Sequence, residues 1–139
     1  MKRKDFLKSI GGAAAVAVTF SCLGGCSKSD IPTDADLTSG LPFTIDLTAS
    51  TSSPLMTNGG YIIKNNTVVA KDLEGNYVAA TNLCSHEQLR KVIFQDGEYY
   101  CTEHGARFNL SGTGLNSDGS GGLTIFQTSL EGDILTVSV

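Results

Sequence analysis

Tryptophan is absent from this chain, and its 139 residues hold only 2 His, 2 Met and 3 Pro. With aromatics at 7%, turns and loops outweigh any large aromatic core. Basic residues are also scarce: 10 Lys and Arg face 14 Asp and Glu, for a net charge of −4. A nucleic-acid surface needs a basic face, so that class is excluded. No run of about 20 apolar residues exists away from the N-terminus, so nothing in the folded part is expected to span a membrane. The length allows one small domain with a tail, and leaves no room for a separate catalytic domain. What is plentiful is glycine, at 16 residues, beside 40% hydrophobic and 17% charged residues, a globular composition.

The N-terminus has its own pattern. Lys2, Arg3, Lys4 and Lys8 precede an apolar and small-residue run from Ile10 to Leu23. Leu23-Gly24-Gly25-Cys26 closes it. A basic end, a short apolar middle and small residues at the cut describe a secretory signal over residues 1–26. The closing four residues resemble a lipobox, in which Cys26 is acylated and becomes the mature N-terminus. Cys22 fits less well, with Thr19 three residues before it. Acyl chains on Cys26 would anchor the protein stably. Arg3-Lys4-Asp5-Phe6-Leu7-Lys8 also resembles a twin-arginine signal, with Lys in place of the second Arg. That pathway exports folded proteins that already hold a cofactor; the plainer reading is general secretion. Ser27 after Cys26 favours outer-membrane sorting where the source has two membranes. The domain is then expected to face the periplasm or the outer surface.

Beyond residue 26 the chain keeps 6 basic and 13 acidic residues, a net charge of −7. Residues 27–40 are rich in Ser, Asp, Thr and Pro and read as a flexible tether. Residues 41–139 read as an all-β domain, a small antiparallel sandwich or barrel. Phe43 to Thr48 alternates as a strand. Tyr61 to Ile63 and Thr67 to Ala70 flank Lys64-Asn65-Asn66 as a hairpin, and Tyr77 to Leu83 follows a turn over residues 72–76. Val92 to Phe94 and Glu98 to Tyr100 flank Gln95-Asp96-Gly97. Leu123 to Leu130 and Ile134 to Val139 form the last hairpin, around Glu131-Gly132-Asp133. No helical periodicity is visible, and the Gly- and Ser-rich stretch 111–122 reads as one long loop.

The chemistry gathers at two loop tips. Beyond residue 26 only 2 Cys and 2 His remain, and all four fall in one pattern: Cys84-Ser85-His86 and Cys101-Thr102-Glu103-His104. Two thiolates and two imidazoles suit zinc or an iron–sulfur cluster, whereas calcium and magnesium prefer oxygen. A Cys84–Cys101 disulfide is the remaining alternative in an oxidising compartment.

At these residues the sequence resembles the Rieske iron–sulfur family, with one Cys-x-His loop and one Cys-x-x-His loop on a small β domain. Gly105 after the second His, Phe108, and Ser111-Gly112 extend the match, and the strand pattern from about Gly60 onward agrees. The resemblance implies that Cys84 and Cys101 bind one iron of a [2Fe–2S] cluster and His86 and His104 the other. Neutral imidazoles add no charge, so the cluster accepts an electron more easily than one held by four thiolates. The imidazoles can also release protons, coupling proton to electron transfer. Departures from the family pattern point to a low-potential, ferredoxin-like centre. Leu89 and Glu103 stand where high-potential members carry an additional disulfide. Ala106 replaces a Ser whose hydroxyl can bond a bridging sulfide. Gln88 replaces a Gly, Thr102 a Pro, and residues 117–122 a Gly-Pro-rich covering loop.

Arg90, Lys91 and Arg107 lie near the ligand loops and read as solvated charges rather than steering groups. One of Tyr99 and Tyr100 is expected to face inward. A mononuclear iron site of the two-His-one-carboxylate kind would have no His left, so catalysis as a stand-alone oxygenase is excluded. The implied function is single-electron transfer with a redox protein partner, a cytochrome or an oxidoreductase subunit being the candidates. The rival is a zinc-stabilised structural or binding lipoprotein. No small-molecule substrate is indicated.

Overall fold

This computed structural model describes residues 37–139. The expected signal, Cys26 and residues 27–36 of the expected tether lie outside the described residues. No helix among the described residues is long and apolar enough to cross a membrane. The strands are β1 (Phe43–Asp46), β2 (Tyr61–Lys64), β3 (Thr67–Lys71), β4 (Tyr77–Thr81), β5 (Val92–Gln95), β6 (Glu98–Cys101), β7 (Arg107–Phe108), β8 (Ile125–Glu131) and β9 (Ile134–Ser138). Every pairing is antiparallel. A six-stranded sheet runs β1-β9-β8-β4-β3-β2, and a three-stranded sheet runs β5-β6-β7.

Turn chemistry sets the registers. Lys64 faces Thr67, which leaves Asn65-Asn66 as a two-residue loop with φ of 49° and 59°. Gln95 faces Glu98 across Asp96-Gly97, with φ of 53° and 84°. Two successive left-handed residues match the strand twist, and Asn, Asp and Gly tolerate them best. The large sheet curls into a half-barrel. Its two edges meet where Lys64 Nζ on β2 donates 2.9 Å to the Thr44 carbonyl on β1. Asn65 Nδ2 donates to the Gly40 carbonyl, so the first described residues also dock on this hairpin.

β3 is buried on both faces. Val68 and Ala70 join Ala80, Val92, Phe94, Tyr99 and Phe108 in a core between the two sheets. Val69 and Ala79 point the other way, toward Ile45, Leu55, Phe126, Leu135 and Val137. Small alanines on β4 let both cores close around it. Phe126, 4% exposed, is far along the chain from the Cys-His loops. Phe126→Ala is expected to cost about 3–5 kcal/mol in denaturant unfolding, as buried Phe truncations do.

The strand expectations hold in type, with bounds that differ by one or two residues. β1 stops at Asp46, whose carboxylate turns back to accept from the Thr48 N–H at 2.8 Å and from the Thr48 hydroxyl. Those bonds hold the Asp46 carboxyl below its usual range. β4 ends at Thr81, whose hydroxyl accepts from the Leu83 N–H. The expectation of no helix is corrected: Ser50–Met56 forms a 3-10 helix that buries Leu55. Its period of three escapes a search for the α-helical period. β7, two residues long, also carries too little pattern to be read from sequence.

Candidate metal centre

β4 leads into the first Cys-His loop and β6 into the second. The two loops are wired alike. The Cys84 N–H donates to the Leu89 carbonyl at 2.7 Å, and the Gln88 N–H returns to the Cys84 carbonyl at 2.9 Å. The Cys101 N–H donates to the Ala106 carbonyl at 2.8 Å, and the Gly105 N–H returns to the Cys101 carbonyl at 3.0 Å. Each Cys thus opens a six-residue turn, and the fifth residue of each is left-handed: Gln88 at φ 55° and Gly105 at φ 76°. Glycine takes that conformation freely; an L side chain costs about 1–2 kcal/mol there. Gly105→Ala is therefore expected to lower stability by about 1–2 kcal/mol in thermal or denaturant unfolding. Gln88→Gly is expected to change it by less than about 1 kcal/mol, because relieved strain offsets added chain entropy.

The loop roots are bolted together. Thr102 donates from its N–H, at 3.0 Å, and from its hydroxyl to the Lys91 carbonyl, which tethers the second loop to the exit of the first. Cys84 and Cys101 are free thiols, each 1% exposed. Burial is the largest cause pushing the Cys84 thiol up, and the adjacent Cys101 adds to it; the N–H groups of His86 and Glu87, aimed at the sulfur, pull it down. The thiol therefore keeps its proton until a cation takes its place, so metal loading releases protons here. His86 and His104 stand edge to face with ring centroids 5.1 Å apart. Their side chains are 34% and 39% exposed.

The site thus has a buried sulfur side and a solvent-facing nitrogen side. Asp118 Oδ1 lies 3.7 Å from His86 Nε2, and Glu87 Oε2 lies 3.6 Å from His104 Nδ1. His86, Glu87 and His104 place one donor atom each within 4.8 Å of one another. Soft donors suit iron or zinc, and the N–H groups aimed at Cys84 suit a thiolate, which accepts hydrogen bonds and donates none. The four residues read from the sequence are all brought to this end of the domain. Ala106 is fully buried and supplies no hydroxyl.

The charged neighbours are less free than the sequence suggests. Arg107 pairs with both carboxylate oxygens of Glu98, with Nη2 to Oε2 at 3.0 Å, and that pairing pushes its guanidinium further up. Arg90 donates to Asn82 Oδ1 at 3.0 Å. Lys91 alone of the three stays exposed without such a bond among the described residues. Tyr99 is the inward tyrosine, wholly buried and edge to face with Phe94.

Sequence reading put residues 117–122 in the place of a covering loop and did not read how tightly 111–122 pack or what Asn116 does. Residues 111–122 fold tightly over both turns, with Gly121 packed on Ser85 of the first and Asn116 bonded to Gly105 of the second. A lone Asn in a Gly- and Ser-rich stretch carries only a turn signal, which is why Asn116 did not stand out.

Three comparisons bear on the site. The sequence matches the family profile described as the Rieske [2Fe–2S] domain over residues 43–127. Curated proteins give no match. Among solved structures, a ferredoxin of carbazole 1,9a-dioxygenase from Nocardioides aromaticivorans is similar at 20% identity and TM-score 0.53, over 70% of this chain and 96% of that one. The plasma-membrane Rieske protein of the cyanobacterium Synechocystis PCC 6803 is similar at 22% identity and TM-score 0.51, over 64% and 95%. A quaternary ammonium Rieske monooxygenase is similar at 13% identity and TM-score 0.51; this chain covers 30% of it. At these identities the likeness is one of fold.

Proposed function

Because the chain belongs to the Rieske [2Fe–2S] family, we propose that it is a lipid-tethered electron carrier whose cluster is held by Cys84, His86, Cys101 and His104. One observation carries this reading: two buried thiols stand behind two imidazoles that reach solvent. When bound, the [2Fe–2S] cluster supplies one-electron redox chemistry. Cys84 and Cys101 provide the thiolates for one iron, with the His86 and Glu87 N–H groups supporting the Cys84 sulfur. His86 and His104 serve the other iron without adding charge. Their exposed edges are the part of the site a partner can approach. Thr102 and the shared turn wiring hold the two loops at a fixed separation.

The partner is a redox protein, a cytochrome or an oxidoreductase subunit. Glu87 and Asp118 beside the imidazoles, and the net charge of −7 beyond residue 26, favour a basic docking face on it. Two of the similar structures point the same way, one a ferredoxin of a dioxygenase and one a plasma-membrane Rieske protein. The buried Ala106, and the acids Glu87 and Glu103, favour the oxidised form and hence a low potential. Acylation at Cys26 holds the domain on the exported face of a bacterial membrane.

The test is the visible absorption and reduced-state EPR spectrum of the full chain made with iron–sulfur assembly present. A coloured oxidised form, and a rhombic reduced signal with an average g below that of all-Cys clusters, is expected. A colourless product with one zinc per chain would overturn electron transfer in favour of a structural metal module. Metabolic labelling with a radioactive fatty acid tests the tether separately: label in the wild type and none in Cys26→Ser is expected, and an unlabelled wild type removes the anchor.

A further inference from the structure

The stretch 111–122 looks from its composition like a loose loop, yet several close approaches fix it. A Cβ on Gly114 would lie 2.0 Å from the Gly119 carbonyl oxygen, and one on Gly119 would lie 2.4 Å from the Arg107 carbonyl oxygen. Neither position has room for a side chain. Leu115 donates from its N–H to the same Arg107 carbonyl at 2.8 Å. The segment is therefore packed against the strand that leaves the second Cys-His turn.

Asn116 is the polar centre of that contact. Its Nδ2 donates to the Gly105 carbonyl at 2.7 Å. Its Oδ1 accepts from the Arg107 N–H at 3.1 Å and from the Gly119 N–H at 3.0 Å. The side-chain amide thus pairs with the backbone on both sides of Ala106, as a neighbouring strand would. Gly105 directly follows His104, and its own N–H is already tied to the Cys101 carbonyl. With both peptide groups of Gly105 fixed, the backbone that aims His104 has no free hinge on its C-terminal side. The same segment reaches the other turn through Asp118, 3.7 Å from His86, and Gly121, packed on Ser85.

We propose that Asn116 is a positioning residue that fixes the orientation of His104 by clamping Gly105, and so sets the spacing of the two imidazoles. This rests on the cluster reading given above. It gives the segment a rigidity that prolines would otherwise supply; none lies in 111–122. Asn116 acts through backbone and touches neither imidazole by any bond the structure contains.

The test uses the cluster-loaded full chain and pulsed EPR of the reduced state, which resolves the couplings of the two histidine nitrogens. Asn116→Leu removes all three bonds while keeping the branched side-chain shape. Asn116→Asp keeps both acceptor bonds and sets a carboxylate oxygen against the Gly105 carbonyl in place of the donor. Asn109→Ala is the control: Asn109 Oδ1 accepts from Ser111 and Thr113, so it stabilises the same segment without reaching the second turn. One nitrogen coupling is expected to shift in both Asn116 variants while the other stays, and both are expected to stay in Asn109→Ala even where its melting temperature falls as far. Unchanged couplings in either Asn116 variant, or the same shift in Asn109→Ala, would overturn the role. If Asn116→Leu fails to load, Asn116→Asp decides. A wild type without a rhombic EPR signal would overturn the cluster reading instead, so the two failures are distinguishable.

Discussion

Cys84→Ala is expected to yield a colourless protein with no reduced-state EPR signal. The reason is local. Cys84 is 1% exposed, and its sulfur is the acceptor for the N–H groups of His86 and Glu87. Truncation removes one of the thiolates that balance the core's charge, and leaves two N–H groups aimed at an alkyl carbon. No other Cys is available to substitute, because Cys101 is engaged and the remaining 2 precede residue 27. Loss of a mere outer-shell partner typically costs 10–100-fold in metal affinity, so loss of a ligand is expected to exceed about 100-fold. Iron and acid-labile sulfide per chain, with the visible spectrum, measure this directly. The same loss is expected for Cys101→Ala. Full iron content in either variant would mean that the ligands lie elsewhere. The fold should survive both changes: the core between the sheets keeps Tyr99, Phe108, Val92 and Phe94, and a buried thiol is a small part of it.

Much of this was legible from sequence because it is encoded locally. Asn65-Asn66, Asp96-Gly97 and Gly132-Asp133 mark hairpins by turn chemistry alone, and the pairings place all three as two-residue loops. The Cys-x-His and Cys-x-x-His loops stood out because no other Cys or His lies beyond residue 26. What stayed hidden is encoded by distance. Burial of β3 on both faces depends on a second sheet whose strands begin 21 residues after β3 ends. The bidentate Arg107–Glu98 pair joins β7 to β6, so Arg107 alone reads as solvated. The matched turn wiring is invisible because Gln88 occupies the left-handed position that Gly105 fills in the other loop. The tight packing of the covering segment stayed hidden because glycine is ambiguous. It marks flexibility in an isolated chain and close packing when another backbone is 2.0 Å from where its Cβ would be.

Replacing both imidazoles by thiolates, in the double variant His86→Cys and His104→Cys, is expected to lower the midpoint potential by about 250 mV or more, the gap between His-ligated and plant-type centres. The argument is charge. Two neutral ligands become two anions, so the added electron enters a site already doubly negative. Glu87 and Asp118, 3.6 Å and 3.7 Å from the present imidazoles, lower the potential with either ligand set and so do not add to this effect. Exposure of 34% and 39% lowers it, since water screens charge on that side. The same acids should make the double variant load less readily than the wild type. One accompanying change identifies the cause. The average g of the reduced signal should rise toward that of all-Cys clusters. Voltammetry measures the potential directly. An unchanged potential in a fully loaded double variant would show that His86 and His104 do not ligate the cluster, and the electron's exit would have to be sought on another face.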